Sequence, residues 1–127
     1  MAKRILIIDD ELDMQIYLRT LFRKAGYETA VAANGEEGLE LARSFRPHLI
    51  TLDLLMPRKS GVLTYENLRT TPETRDVPIF VVSGLAGNEE MFRGATAELP
   101  LPEAVVDKPI NREAFLEKVE EVLGEKQ

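Results

Sequence analysis

The chain has 127 residues, the size of one ordinary domain, and a domain of this length can bury roughly two-thirds of its unfolded surface. Its 16 Lys and Arg residues against 22 Asp and Glu residues give a formal charge of −6, which argues against direct nucleic acid binding. The absence of cysteine excludes disulfides and thiolate zinc sites, and the apolar runs are far shorter than the roughly 18 residues of a membrane span. We therefore expect a soluble, cytoplasmic protein without membrane insertion.

Short β-branched runs typical of strands alternate along the chain with longer stretches that carry apolar residues at helical spacing. The pattern predicts five strands, at residues 4–9, 28–32, 49–53, 79–83 and 104–107. The first, third and fourth runs are almost wholly apolar, as expected for central parallel strands that are covered on both faces.

The intervening stretches predict helices. Met14, Leu18, Leu21 and Ala25 share one face of a helix that ends at Gly26. Shorter helices are predicted at residues 61–69 and 88–94.

Two asparagines are predicted to cap helices. Asn34 begins a helix that runs to about residue 45, with Glu37 at the reciprocal capping position. Asn111 begins the last helix, which Gly124 closes. The predicted buried stripe of that last helix is Phe115, Val119 and Val122.

Five βα units in 127 residues favour an α/β fold with an open, doubly wound parallel sheet and helices on both faces. An eight-unit barrel would need about twice this length. We expect a single domain over residues 1–127, without repeats or linkers.

Polar residues stand where the apolar strands end. Asp9 and Asp10 follow the first strand, Asp53 the third, Ser83 the fourth, and Lys108 the fifth. In open α/β sheets, ligands bind beyond the carboxyl ends of the strands. Carboxylates, a hydroxyl and an ammonium are therefore expected to meet at one edge.

Such a cluster needs a cation. Two carboxylates about 4 Å apart repel by roughly 4 kcal/mol at an effective dielectric constant of about 20, and one lysine leaves the cluster negative. A few carboxylates with waters and a phosphate suit Mg²⁺. A carboxylate can also accept a phosphoryl group, and Lys108, Ser83 and the metal suit the charge on its oxygens.

Together these motifs resemble the receiver domain of bacterial two-component response regulators, over essentially the whole chain. The segments that carry the resemblance are Asp9-Asp10 after Ile5-Leu6-Ile7-Ile8, Asp53-Leu54-Leu55-Met56-Pro57 followed by Gly61, Ser83 after Phe80-Val81-Val82, and Lys108-Pro109. The resemblance implies a five-stranded, flavodoxin-like sheet in the order 2-1-3-4-5. It also implies a Lys-Pro peptide bond that is commonly cis.

The resemblance assigns a role to each site residue. Asp53 is the phosphoacceptor, Ser83 and Lys108 bind the phosphoryl oxygens, Asp10 is a direct Mg²⁺ ligand, Asp9 acts mainly through water, and Leu55 offers its backbone carbonyl to the metal. The implied partners are a histidine kinase or a histidine phosphotransfer protein as donor, and a downstream protein as target. The chain would catalyse its own phosphorylation and dephosphorylation but would turn over no external substrate.

The sequence departs from the family pattern before and within the last strand. Val105 stands where the family usually has Tyr or Phe, so the usual aromatic switch is not expected. Residues 99–102 read Leu-Pro-Leu-Pro, which suggests a stiff extended loop. We hypothesise that output is carried by displacement of residues 84–94 and of the 99–102 loop.

Two other functions remain open at this point. A haloacid-dehalogenase-like phosphatase also uses an aspartyl-phosphate and Mg²⁺, but it places Asp-x-Asp after its first strand, where this chain has Asp9-Asp10-Glu11. An adaptor that keeps the fold and never uses phosphate is the second alternative. A phosphatase assay and mass spectrometry after a small phosphodonor would discriminate between them.

Overall fold

A computed structural model describes residues 2–56, 60–84, 93–94 and 96–124. Its strands are β1 Arg4–Ile8, β2 Glu28–Ala32, β3 Leu49–Leu52, β4 Ile79–Ser83 and β5 Ala104–Asp107. Its helices are α1 Leu12–Lys24, α2 Gly35–Ser44, α3 Ser60–Thr70 and α4 Arg112–Leu123. The predicted strands are confirmed to within one residue. No helix within the described ranges is long and apolar enough to cross a membrane.

The five strands form one parallel sheet in the order β2-β1-β3-β4-β5, as predicted. The chain reverses its direction of winding at the boundary between β1 and β3, where ligands bind in folds of this kind. The register pairs Ile8 with Leu52, and Ser83 with Asp107. Residues that follow β1, β3, β4 and β5 therefore meet at one edge.

Two apolar clusters cover the two faces of the sheet, because successive strand residues point to opposite sides. Leu6, Ile8, Ile50 and Leu52 pack with α2 and α3 on one face. Ile5, Ile7, Leu49 and Phe80 pack with α1 and α4 on the other. The sheet is thus doubly wound, and its central strands are buried on both faces.

An aromatic group joins α1 and α4 across the second face. The Phe115 ring lies 5.7 Å from that of Phe22 and 6.1 Å from that of Phe80, centroid to centroid. Phe115 and Val119 are buried as predicted, whereas Val122 is only partly buried.

The two predicted asparagine caps are confirmed. Asn34 Oδ1 accepts a hydrogen bond from the Glu37 amide at 2.9 Å, and Asn111 Oδ1 accepts one from Ala114 at 3.1 Å. Glu37 Oε1 accepts from the amide of Ala33, one residue before the expected reciprocal partner. The helix predicted at 61–69 is α3, and most of the one predicted at 88–94 lies outside the described residues.

The loop before β5 is tied to α3. Tyr65 donates its hydroxyl proton to the carbonyl of Pro100. Arg69, whose side chain is only 2% exposed, donates from Nη2 to the Leu101 carbonyl at 3.1 Å and to Glu103 Oε1 at 3.0 Å. Glu103 Oε1 also accepts from the amide of Ile79, at the start of β4. We call these contacts the Arg69 clamp.

Candidate functional site

Three carboxylates converge at the edge of the sheet where β1 and β3 end. Asp9, Asp10 and Asp53 each offer a carboxylate oxygen, and these atoms all lie within 4.8 Å of one another. Asp9 and Asp53 are buried, whereas Asp10 is exposed. Burial raises the pKa of Asp9, a hydrogen bond from the Glu11 amide opposes the rise, and the Asp53 charge adds to it. Hard oxygen donors at this spacing fit Mg²⁺.

Hydrogen-bond donors surround the Asp53 carboxylate. Oδ1 accepts from the Leu55 amide at 2.9 Å and from the Ser83 hydroxyl at 2.6 Å. Oδ2 lies 3.6 Å from Lys108 Nζ. Ser83 is fully buried at the end of β4. Preorganised donors of this kind can stabilise charge on a transferring phosphoryl group.

Lys108 follows β5, and its peptide bond to Pro109 is cis, as the resemblance implied. Its ammonium lies 2.8 Å from Glu11 Oε1 and 3.5 Å from Asp9 Oδ2. Burial lowers the pKa of Lys108, but the hydrogen bond to Glu11 and the charges of Asp53 and Asp9 outweigh burial and raise it above the ordinary value. Lys108 therefore stays cationic at neutral pH.

The site lies at the base of an open cleft. The cleft is lined by Asp10, Glu11, Asp53, Leu55, Gly84 and Lys108. Asp53 is 4% exposed, whereas the Leu55 side chain is 49% exposed and stands at the rim. A small anion can thus approach the buried carboxylate from solvent.

Gly61, in the first turn of α3, packs against the backbone of Asp53 and Leu54. A Cβ at this position would lie 2.4 Å from Leu54 Cα and 2.5 Å from the Asp53 carbonyl oxygen. Only glycine allows this approach. The residue therefore holds α3 directly against the chain that carries Asp53.

Every side chain that the sequence predicted for the site is brought to this edge, and Leu55 contributes its backbone amide. The role predicted for the Leu55 carbonyl stays a prediction. Sequence reasoning missed the partnership of Glu11 with Lys108. The sequence shows a third acidic residue directly after the Asp9-Asp10 pair, but no pattern in it links Glu11 to Lys108.

The family model that describes the response regulator receiver domain matches residues 5–120. The chain therefore belongs to the receiver domain family, as the resemblance predicted. The polar-differentiation response regulator DivK of Brucella anthropi is 37% identical to it, over 98% of this chain and 99% of DivK. DivK of Brucella ovis is 35% identical with the same coverage.

Solved structures agree with this assignment. A response regulator of Chloroflexus aurantiacus has a TM-score of 0.84 at 26% identity and covers 98% of this chain and 99% of its own. TrrA of Thermotoga maritima, solved in complex with Mg²⁺ and BeF, has a TM-score of 0.79 at 29% identity, with 94% and 98% covered. The chemotaxis protein CheY4 of Vibrio cholerae shares the fold, with a TM-score of 0.83 at 24% identity over 96% and 99%.

The family places the chain in two-component signalling. Receiver domains are signalling switches that interact with histidine kinases and downstream targets, and they bind Mg²⁺ at their acidic site. Neither the phosphatase nor the phosphate-independent adaptor finds support among these matches.

Proposed function

We propose that this receiver domain accepts a phosphoryl group on Asp53 in a Mg²⁺-dependent reaction and thereby switches its binding to another protein. The observation that carries the proposal is the arrangement around Asp53. Its carboxylate receives hydrogen bonds from the Leu55 amide and the Ser83 hydroxyl, with Lys108 Nζ at 3.6 Å, at the base of an open cleft.

In the proposed reaction, an Asp53 carboxylate oxygen forms a bond to phosphorus while the bond between phosphorus and the donor's leaving group breaks. The transferred group carries negative charge on its oxygens, so donors already aimed at the carboxylate can bind them. Ser83 and Lys108 are catalytic in this sense, together with Asp53.

The metal part of the proposal rests on the acidic cluster. Asp9, Asp10 and Asp53 would hold Mg²⁺, with the Leu55 carbonyl as a further oxygen ligand. When bound, Mg²⁺ neutralises charge on the carboxylates and on the phosphoryl oxygens. Without it, the cluster and Glu11 leave Lys108 outnumbered by negative charges.

We further propose that residues 1–127 form one domain that acts in the cytoplasm. Its donor would be a histidine kinase or a histidine phosphotransfer protein, and its target a downstream protein. It would not bind nucleic acid directly, which the formal charge of −6 supports. Its chemistry would be limited to its own phosphorylation and dephosphorylation.

The test is intact-protein mass spectrometry after incubation with acetyl phosphate and Mg²⁺. We expect the mass of one phosphoryl group to be added, and none in Asp53→Ala or in excess chelator. Asp13→Ala is the matched control, because Asp13 is an exposed aspartate in the first turn of α1. Modification that persists in Asp53→Ala, or that is equal with and without chelator, contradicts the proposal.

A further inference from the structure

The Lys108 ammonium is bound most closely by a residue outside the acidic cluster. Among the described residues, its carboxylate partners are Glu11 Oε1 at 2.8 Å, Asp9 Oδ2 at 3.5 Å and Asp53 Oδ2 at 3.6 Å. Charge-assisted hydrogen bonds between nitrogen and oxygen are about 2.7–2.9 Å long. Only the contact with Glu11 has that length, so Glu11 takes the strongest hydrogen bond that Lys108 makes.

The position of Glu11 in the fold explains why its side chain is available. Glu11 is the N-cap residue of α1, yet its side chain makes no capping hydrogen bond. Asp, Asn, Ser and Thr cap helices well because their short side chains reach the first amides, and Glu is not among these residues. The longer side chain extends over the cleft to Lys108 instead.

We propose that Glu11 is a positioning residue that keeps the Lys108 ammonium just beyond hydrogen-bond distance of Asp53, at 3.6 Å, and thereby slows phosphorylation by small donors. The proposal deepens the proposed function and rests on it. An incoming phosphodonor offers oxygens that carry negative charge, and Glu11 competes with them for the three donors of the Lys108 ammonium. Glu11 also adds a negative charge beside the cleft through which this anion arrives.

The size of the effect follows from exposure. The Glu11 side chain is 60% exposed and that of Lys108 is 20% exposed, so water and salt weaken the pair. Partly exposed ion pairs contribute free energies that correspond to a change of roughly two- to fivefold in a rate or equilibrium constant. We therefore expect removal of Glu11 to speed phosphorylation by about that factor.

The experiment compares initial rates of phosphorylation by acetyl phosphate at saturating Mg²⁺ for wild type and three variants. Glu11→Gln removes the charge. Glu11→Asp keeps the charge, but aspartate is a preferred N-cap residue and would turn toward the α1 amides and away from Lys108. Asp13→Asn removes a neighbouring exposed charge that makes no contact with Lys108 among the described residues.

We expect Glu11→Gln and Glu11→Asp to be phosphorylated roughly two- to fivefold faster than wild type. Asp13→Asn should be phosphorylated at the wild-type rate at about 0.5 M salt, where long-range electrostatic effects are screened. Cooperative thermal unfolding, with melting temperatures within about 5 °C of wild type, would show that both Glu11 variants fold. If Glu11→Gln is no faster than Asp13→Asn, or if Glu11→Asp equals wild type, the positioning role is wrong. If wild type itself takes no phosphoryl group, the proposed function fails instead.

Discussion

A methyl group at Gly61 should disrupt both the fold and the site. In Gly61→Ala the new Cβ would lie 2.4 Å from Leu54 Cα and 2.5 Å from the Asp53 and Leu54 carbonyl oxygens, whereas ordinary contacts begin at 3.4 Å. The new Cβ and its neighbours must therefore move apart by about 1 Å, and the neighbouring atoms belong to the backbone of Asp53 and Leu54. Overpacking costs about 1–3 kcal/mol, here at the upper end, and better helix propensity returns up to about 1 kcal/mol. We expect a net loss of roughly 2 kcal/mol, or about 5–10 °C in melting temperature.

The assay is thermal unfolding followed by circular dichroism, combined with the phosphorylated fraction after acetyl phosphate. Gly38→Ala is the matched control, since its Cβ would lie 2.6 Å from the Cδ1 atom of Ile8, the end of a flexible side chain. That variant should lose less stability and keep normal phosphorylation. If Gly61→Ala is as stable as Gly38→Ala and is phosphorylated as fast as wild type, the close packing of α3 against Asp53 is needed for neither stability nor phosphorylation.

Three further substitutions test the site and its support. Arg69→Gln should lower the free energy of unfolding by about 2–4 kcal/mol in chemical denaturation, because the buried guanidinium makes five hydrogen bonds with the part of the chain that the structure describes. The exposed Arg75→Gln control should change it by less than about 0.5 kcal/mol. Asp10→Asn should stabilise the metal-free protein by up to about 1 kcal/mol and reduce the rise in melting temperature with Mg²⁺, and an unchanged Mg²⁺ response would contradict its ligand role. Because the pKa of Asp9 is raised in the folded state, folding favours its protonated form, so ionised Asp9 destabilises the metal-free protein at neutral pH. Asp9→Asn should therefore be more stable than wild type at pH 7, and this advantage should vanish below about pH 3.8, where Asp9 is protonated in both states.

The fold was predictable because its signals are local and repeated. Apolar runs located β1, β3 and β4 to within one residue, and Asn34 and Asn111 cap the helices that their sequence positions predicted. Strand order was not available from these patterns and came from the resemblance. Parallel strands of similar composition can be arranged in several orders, and local periodicity does not distinguish them.

The site was predictable to the level of its residues, but its contacts were not. The convergence of Asp53, Ser83 and Lys108 was predictable because they end or directly follow strands that meet at one edge. The pairing of Glu11 with Lys108 joins residues 97 positions apart through flexible side chains, and no periodicity encodes it. The contacts of Arg69 were also not predictable, since an arginine in the last turn of a helix is ordinarily exposed at the surface.

The Arg69 clamp bears on the hypothesis that residues 99–102 move when Asp53 is phosphorylated. Arg69 binds the Leu101 carbonyl and the Glu103 carboxylate, and Tyr65 binds the Pro100 carbonyl. Hydrogen bonds to charged groups contribute about 1.5–3 kcal/mol each, so breaking the Arg69 contacts with Leu101 in the loop and with Glu103 directly after it would cost about 3–6 kcal/mol. The Ser83 hydroxyl already donates to Asp53 Oδ1, so its hydrogen bond to a phosphoryl oxygen would replace an existing one and supply at most about 1.5–3 kcal/mol, which is less than this cost.

We therefore expect residues 99–102 to stay in place on phosphorylation, which leaves the segment that follows Ser83 as the part of the hypothesis still to be tested. Hydrogen exchange with Mg²⁺ and beryllofluoride, a phosphoryl mimic, should leave the protection of residues 99–103 unchanged in wild type. Arg69→Gln should speed exchange in the same residues without any ligand, because the clamp is then broken in the resting protein. If beryllofluoride speeds hydrogen exchange at residues 99–103 of wild type to the rate measured in Arg69→Gln, then phosphorylation opens the Arg69 clamp and the loop carries output.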